Sequence, residues 1–142
     1  MIHRILALLF VAGVLGMTGE LFLLEHFEGW RQRIPLAALA LGALSGIWIL
    51  AAPGRGAIRC HRVAGLLLFV AGAAGYYFHL QGNSEFEQEL YPSLAGAELF
   101  WKSMKGATPA LAPFAMAHLG LLGLVSTFRH PKLATNTQET SQ

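Results

Sequence analysis

Residues 5–24 read ILALLFVAGVLGMTGELFLL. From Ile5 to Met17 every side chain is apolar or small, and four more apolar residues follow Glu20. A run of this kind matches the roughly 20 residues that cross a bilayer as an α-helix. Three further stretches have the same character, 35–52, 63–80 and 109–128. A chain of 142 residues, 54% hydrophobic and only 13% charged, cannot hide four such helices inside one soluble core. An ordinary soluble domain carries about 25% charged residues. The predicted fold is an all-α integral membrane protein, an antiparallel four-helix transmembrane bundle forming one domain over residues 1–132. A polar, aperiodic tail, 133–142, is expected to be disordered.

His3 and Arg4 give the first span a basic start, as in a signal peptide. The apolar run nevertheless passes well beyond Met17 with no A-x-A cleavage site, so the span is expected to be retained. The single cysteine, Cys60, excludes an internal disulfide and any multi-cysteine metal motif. A net charge of +2 is too small to imply nucleic-acid binding. Lys and Arg are unevenly placed. Arg4, Arg55, Arg59, Arg62, Arg129 and Lys132 fall on one side of the spans; Arg31, Arg33, Lys102 and Lys105 fall on the other with most of the acids. The positive-inside rule then puts both termini in the cytoplasm of a plasma (inner) membrane.

Punctuation residues set the expected boundaries. Pro35 suits the first position of the second span and Pro53-Gly54 its end. LQGNSE (80–85) ends the third span, Thr108 and Pro109 open the fourth, and Pro113 bends its entrance. Between them, 81–107 divides into an acidic piece and an amphipathic one in which Leu94, Ala97, Trp101 and Met104 follow helical spacing. This predicts a short interfacial helix anchored by Phe100 and Trp101, with Trp30 a further interfacial anchor.

Small residues at intervals of three and four mark close helix packing in a membrane. Here they are Gly13 and Gly16; Ala38, Gly42 and Gly46; Gly72 and Gly75 with Gly65; and Gly120 and Gly123. Glu20 continues the Gly13–Gly16 stripe and His79 the Gly72–Gly75 stripe, so both are expected to face the interior. His118 lies opposite Gly120 and Gly123.

An ionisable group at membrane depth costs about 2.5–3.5 kcal/mol on insertion scales and is usually paired or functional. A Glu20–His79 hydrogen bond would satisfy both groups as a structural staple. The functional alternatives are a proton relay, a quinone contact or a metal site built from His26, His79 and Glu20. Haem b is disfavoured because His79 and His118 differ by roughly 10 Å in depth at 1.5 Å per residue. No E-x-x-H pair lies within a span, Ser45 and Ser126 lack a nearby histidine–carboxylate partner at the same depth, and His61 and His130 read as flanks. No catalytic residue is indicated, and no cofactor is required. The leading expectation is a small accessory or structural subunit that packs against other membrane protein subunits, those of redox or respiratory complexes included. A haem-, metal- or quinone-binding carrier using Glu20, His79 and His118 is the first alternative. A small proton-coupled transporter is the second.

Overall fold

The structure, a computed structural model, describes residues 1–106, 108 and 111–134. Every regular element among them is helical: α1 (Ile2–Leu23), α2 (Trp30–Ala51), α3 (Arg55–Leu90), α4 (Gly96–Met104), α5 (Ala112–Ser126) and the single turn α6 (Pro131–Ala134). Three of them, α1, α2 and α3, are long and apolar enough to cross a membrane. Pro109 and residues 135–142 of the tail lie outside the described residues.

Helix boundaries depart from the sequence reading wherever a side chain offered the backbone a better partner. α2 starts five residues before Pro35, because the Gly29 N–H donates to Gln32 Oε1 at 3.0 Å and secures the first turn. Pro35 then forfeits one bond early in the helix, to a carbonyl near its open end. Nor does α3 stop at Leu80: it runs 36 residues, through Gly82 and the acidic segment to Leu90. Its extension is held by Gln81 Nε2 on Glu85 Oε1, 2.8 Å, and by Asn83. The buried Asn83 amide donates to the carbonyls of Ser103 and Thr108, both at 2.8 Å, and its Oδ1 accepts from the Thr108 hydroxyl at 2.7 Å. Thr108 is therefore tied to α3 rather than capping α5. Pro113, expected to bend a helix already under way, sits in the first turn of α5.

α5 is 15 residues long, shorter than the span 109–128. Two hydroxyls mark its end: Ser126 Oγ donates to the Gly123 carbonyl at 2.7 Å and Thr127 Oγ1 to the Leu124 carbonyl at 2.9 Å. Arg129 follows in the left-handed region, φ 48°. Leu133, assigned by sequence to the tail, lies in α6's single turn and packs against the cluster of Ala7, Ile49, Ala57 and Ile58.

α1 packs against α2 and α5, and α3 against α2, α4 and α5. The tightest approach is α3 on α5. A Cβ at Gly72 would collide with the Ala117 backbone, and one at Gly120 with the backbone of Phe69 and Gly65. Phe10 of α1 fills the centre. Its fully buried ring occupies the space that Gly42 and Gly46 of α2 and Gly123 of α5 leave open, with Val14, Ala38, Leu39, Leu68 and Met116 around it. Burying a phenylalanine against glycine backbone joins three helices through one side chain. Removing such a ring costs about 3–5 kcal/mol.

Candidate functional site

Beside Phe10 lies a polar pair in an otherwise apolar interior. His61, two turns into α3, is fully buried, and Ser45 of α2 is 2% exposed. Ser45 Oγ stands 3.0 Å from His61 Nδ1 and donates to the Gly42 carbonyl at 2.9 Å. With the hydroxyl proton on Gly42, His61 Nδ1–H is the donor to Ser45 and Nε2 carries the lone pair. That Nε2 is buried without a hydrogen-bond partner. Phe10 presents itself edge-on to the imidazole, ring centroids 4.6 Å apart and planes at 77°. The reading of His61 as a flank is thereby corrected, and Ser45 has a histidine at its depth. No carboxylate joins the pair among the hydrogen bonds of the described residues, so it has two of the parts of a nucleophilic triad and lacks the orienting acid.

Glu20 faces the other way. α1 buries Ala7, Phe10 and Val14, with Met17 and Leu21 continuing that line, and this face is set by large side chains rather than by glycine. Gly13 still meets Leu119 of α5. Gly16 and Gly19, by contrast, have nothing within 4 Å, and Ala12, Gly16, Gly19 and Glu20 are all exposed. The inward orientation read from the Gly13–Gly16 stripe is therefore not the one adopted, and no hydrogen bond joins Glu20 to His79 among the described residues. The sequence pattern could not rank the two faces, because Phe10 finds its sockets on α2 and α5 while nothing among the described residues covers Gly16.

His79 has a different neighbour. α1 ends in a Schellman motif, with the His26 N–H on the Leu21 carbonyl at 2.9 Å and the Glu25 N–H on the Phe22 carbonyl at 3.1 Å. Glu25 takes the left-handed position, φ 52°, that glycine usually fills. The motif turns His26 back over the helix end, where its ring lies 6.3 Å from that of His79. His79 is half-buried, and its Nδ1 is buried without a partner. The third residue of the expected centre, His118, is exposed on α5 and bonds its own helix through Nδ1 and the Phe114 carbonyl at 2.9 Å. Glu20, His79 and His118 do not converge, and among the described residues no three His, Cys, Asp or Glu side chains are grouped to hold a metal ion.

The remaining small residues fall on the contacts. Ala38 is in the core, Gly42 faces Leu68, Gly46 faces Val11, and Gly75 meets Pro113. Trp30, Phe100 and Trp101 are exposed at the end of the molecule that carries the acidic residues. α4 lies on the α3 extension, its buried Ser103 hydroxyl 2.8 Å from that of Ser84.

Two signals for the missed pair were present. His61 stands four residues before Gly65, seven before Leu68 and eleven before Gly72, on the face that α3 buries. Ser45 follows Ala38 and Gly42 at helical spacing. No family model, curated protein or solved structure matches the chain.

Proposed function

We propose that the chain is a four-span integral membrane protein of the plasma (inner) membrane, a helical bundle of α1, α2, α3 and α5. Both termini are cytoplasmic, and the protein serves as an accessory or structural subunit that packs against another membrane protein. The apolar surface supports the membrane reading. Leu8, Leu15, Leu44, Ile47, Leu66, Val70, Leu121 and Val125 are exposed on the flanks of all four helices, a pattern that suits hydrocarbon and not water. The 15 helical residues of α5 rise about 22 Å, which a bilayer accommodates by thinning.

The observation that carries the subunit reading is the open face of α1. Ala12, Gly16 and Gly19 recur at helical spacing with nothing against the two glycines, and Glu20 borders them. Small residues let a second helix approach closely in lipid. A carboxyl group facing hydrocarbon costs about 2.5–3.5 kcal/mol, which a partner helix bearing a donor relieves.

The test is the size of the protein extracted from native membranes in mild detergent. Wild type is expected in a species well above its own 15.3 kDa with a second protein in it, and Gly16→Leu and Glu20→Leu are expected to release the monomer. A photo-crosslinker at Gly16 should capture that second protein, while one at Gly75 should not. A monodisperse monomer from native membranes, or an assembly indifferent to both substitutions, would exclude the reading. Labelling of the exposed Cys60 by an impermeant maleimide, expected only after the membrane is opened, tests the orientation.

A further inference from the structure

At the end of the molecule opposite Glu20, three segments line a half-open cavity of about 150 Å³. One water needs only about 10–15 Å³. The first turn of α1 contributes His3 and Arg4, the end of α2 contributes Ile49 and Leu50 with Pro53 beyond, and the turn after α5 contributes His130. The polar groups are fixed by their own bonds. His3 Nδ1–H donates to the Ser126 carbonyl at 2.8 Å, and its ring lies 4.8 Å from that of His130. His130 Nδ1 accepts from the Lys132 N–H at 3.4 Å, so the neutral ring carries its proton on Nε2. Arg62 reaches across from α3, with Nε on the Thr127 hydroxyl at 3.1 Å and Nη2 on the Thr127 carbonyl at 2.9 Å.

Arg4, His3 and His130 line this concavity, with Arg62 close behind, and no acidic residue among the described ones lies at this end. The acidic residues among the described ones are Glu20, Glu25, Glu28, Glu85, Glu87, Glu89 and Glu98, all toward the other end of the helices. The crowding is felt by His130, whose affinity for a proton is lowered by burial and by the charges of His3, Lys132 and Arg62. The Arg4 guanidinium on α1 and the Nε2–H of His130 beyond α5 can donate to separate oxygens of one tetrahedral group, and the fork of arginine fits phosphate in particular. Ile49, Leu50 and Pro53 form an apolar wall beside those donors.

We propose that this cavity binds a phosphate group, with Arg4 and His130 as its donors, His3 held beside them by its bond to Ser126, and the Ile49–Leu50 wall against whatever the phosphate is attached to. The group has two sources, the headgroup of an anionic phospholipid or free phosphate. The lipid source fits basic pockets between helices at a cytoplasmic face and rests on the membrane reading above; the phosphate chemistry does not.

The experiment is thermal unfolding of the purified full chain in neutral detergent, with phosphatidylglycerol, phosphatidylcholine or inorganic phosphate added. Binding to the folded state alone is expected to raise Tm by about 5 °C at saturation. A rise with phosphatidylglycerol and inorganic phosphate together assigns the free anion; a rise with phosphatidylglycerol alone assigns the headgroup. Arg4→Gln and His130→Gln should each abolish most of the rise, and Arg55→Gln should retain it. The wild-type His130 ring proton resonances give a second readout that needs no variant, and they should move on addition of the ligand that raises Tm. The proposal is overturned by no rise with either phosphate source, by an equal rise with phosphatidylcholine, by a rise that survives both substitutions, or by unmoved His130 resonances.

Discussion

Ser45 and His61, sixteen residues apart in sequence, meet at 3.0 Å inside the molecule and couple α2 to α3 through the only hydrogen bond between side chains of those two helices among the described residues. Two opposed effects act there. The bond satisfies Nδ1, while Nε2 remains a buried acceptor without a partner. Losing the bond leaves a second ring nitrogen unsatisfied, at about 1–3 kcal/mol. Ser45→Ala is accordingly expected to lower stability by about 1–2 kcal/mol in thermal or denaturant unfolding in detergent. The double variant Ser45→Ala with His61→Leu should be less destabilised than the sum of the singles, because it removes both partners together. Strict additivity would show that the contact contributes nothing.

Glu25 offers the opposite case, a residue in a backbone conformation that suits it poorly. A left-handed φ costs a residue with a Cβ about 1–2 kcal/mol, and glycine escapes it at some cost in unfolded-chain entropy. Glu25→Gly should therefore stabilise the protein by about 0.5–1 kcal/mol while leaving the Schellman bonds of His26 in place. A fall in Tm would mean that the Glu25 side chain holds the turn in some way its hydrogen bonds do not reveal.

The glycines of α1 and α5 separate structural packing from partner packing. Gly120 lies against the backbone of Phe69 and Gly65, which cannot step aside as a side-chain tip can. Gly120→Ala should cost about 2 kcal/mol or more in the isolated chain, within the usual range for overpacking. A Cβ added at Gly16 would meet nothing beyond its own helix within 4 Å among the described residues. Gly16→Ala should leave the isolated chain unchanged or slightly more stable, as alanine favours helix over glycine. Equal losses at both positions would contradict the open face of α1.

His130 gives a pH dependence with a defined sign. Its folded-state affinity for a proton lies below the ordinary histidine value of 6.5, from burial first and then from His3, Lys132 and Arg62. The unfolded chain takes up the proton sooner, so this group's penalty is absent above 6.5 and grows as pH falls below it. In phosphate-free buffer, Tm should fall more steeply between pH 7 and 5 for wild type than for His130→Gln. Parallel curves would remove His130 from the account.

Asn83 should govern the outer cap. Its amide makes four bonds, three side chain to backbone and one to the Thr108 hydroxyl. Asn83→Ala is expected to free residues 91–108 to proteolysis and fast amide exchange while the α1–α2–α3 core stays protected. Uniform loss of protection would indicate that the cap and the core unfold as one unit.

Helix content and the membrane-length runs were legible because they depend on local composition: α1 and α2 fall where apolar runs lie. Boundaries were less so, since Gln32, Asn83 and Thr127 set them through bonds to distant or neighbouring backbone that no spacing rule displays. The site readings depended on which face of each helix turns inward. For α3 the glycine stripe and the large residues agree, and His61, Gly65, Leu68 and Gly72 all face in. For α1 they compete, and the fit of Phe10 into glycine sockets on α2 and α5 settles the roll and carries Glu20 outward. A stripe of small residues marks a place of close approach without naming the neighbour, which is why Gly16 and Gly72 look alike in sequence and differ in the fold.

One helix, α3, carries both the buried imidazole of His61 and the amide of Asn83 that pins the cap. Its 36 residues form a rod of about 54 Å, without a proline along its length. The interior contact and the cap are therefore held on one uninterrupted backbone.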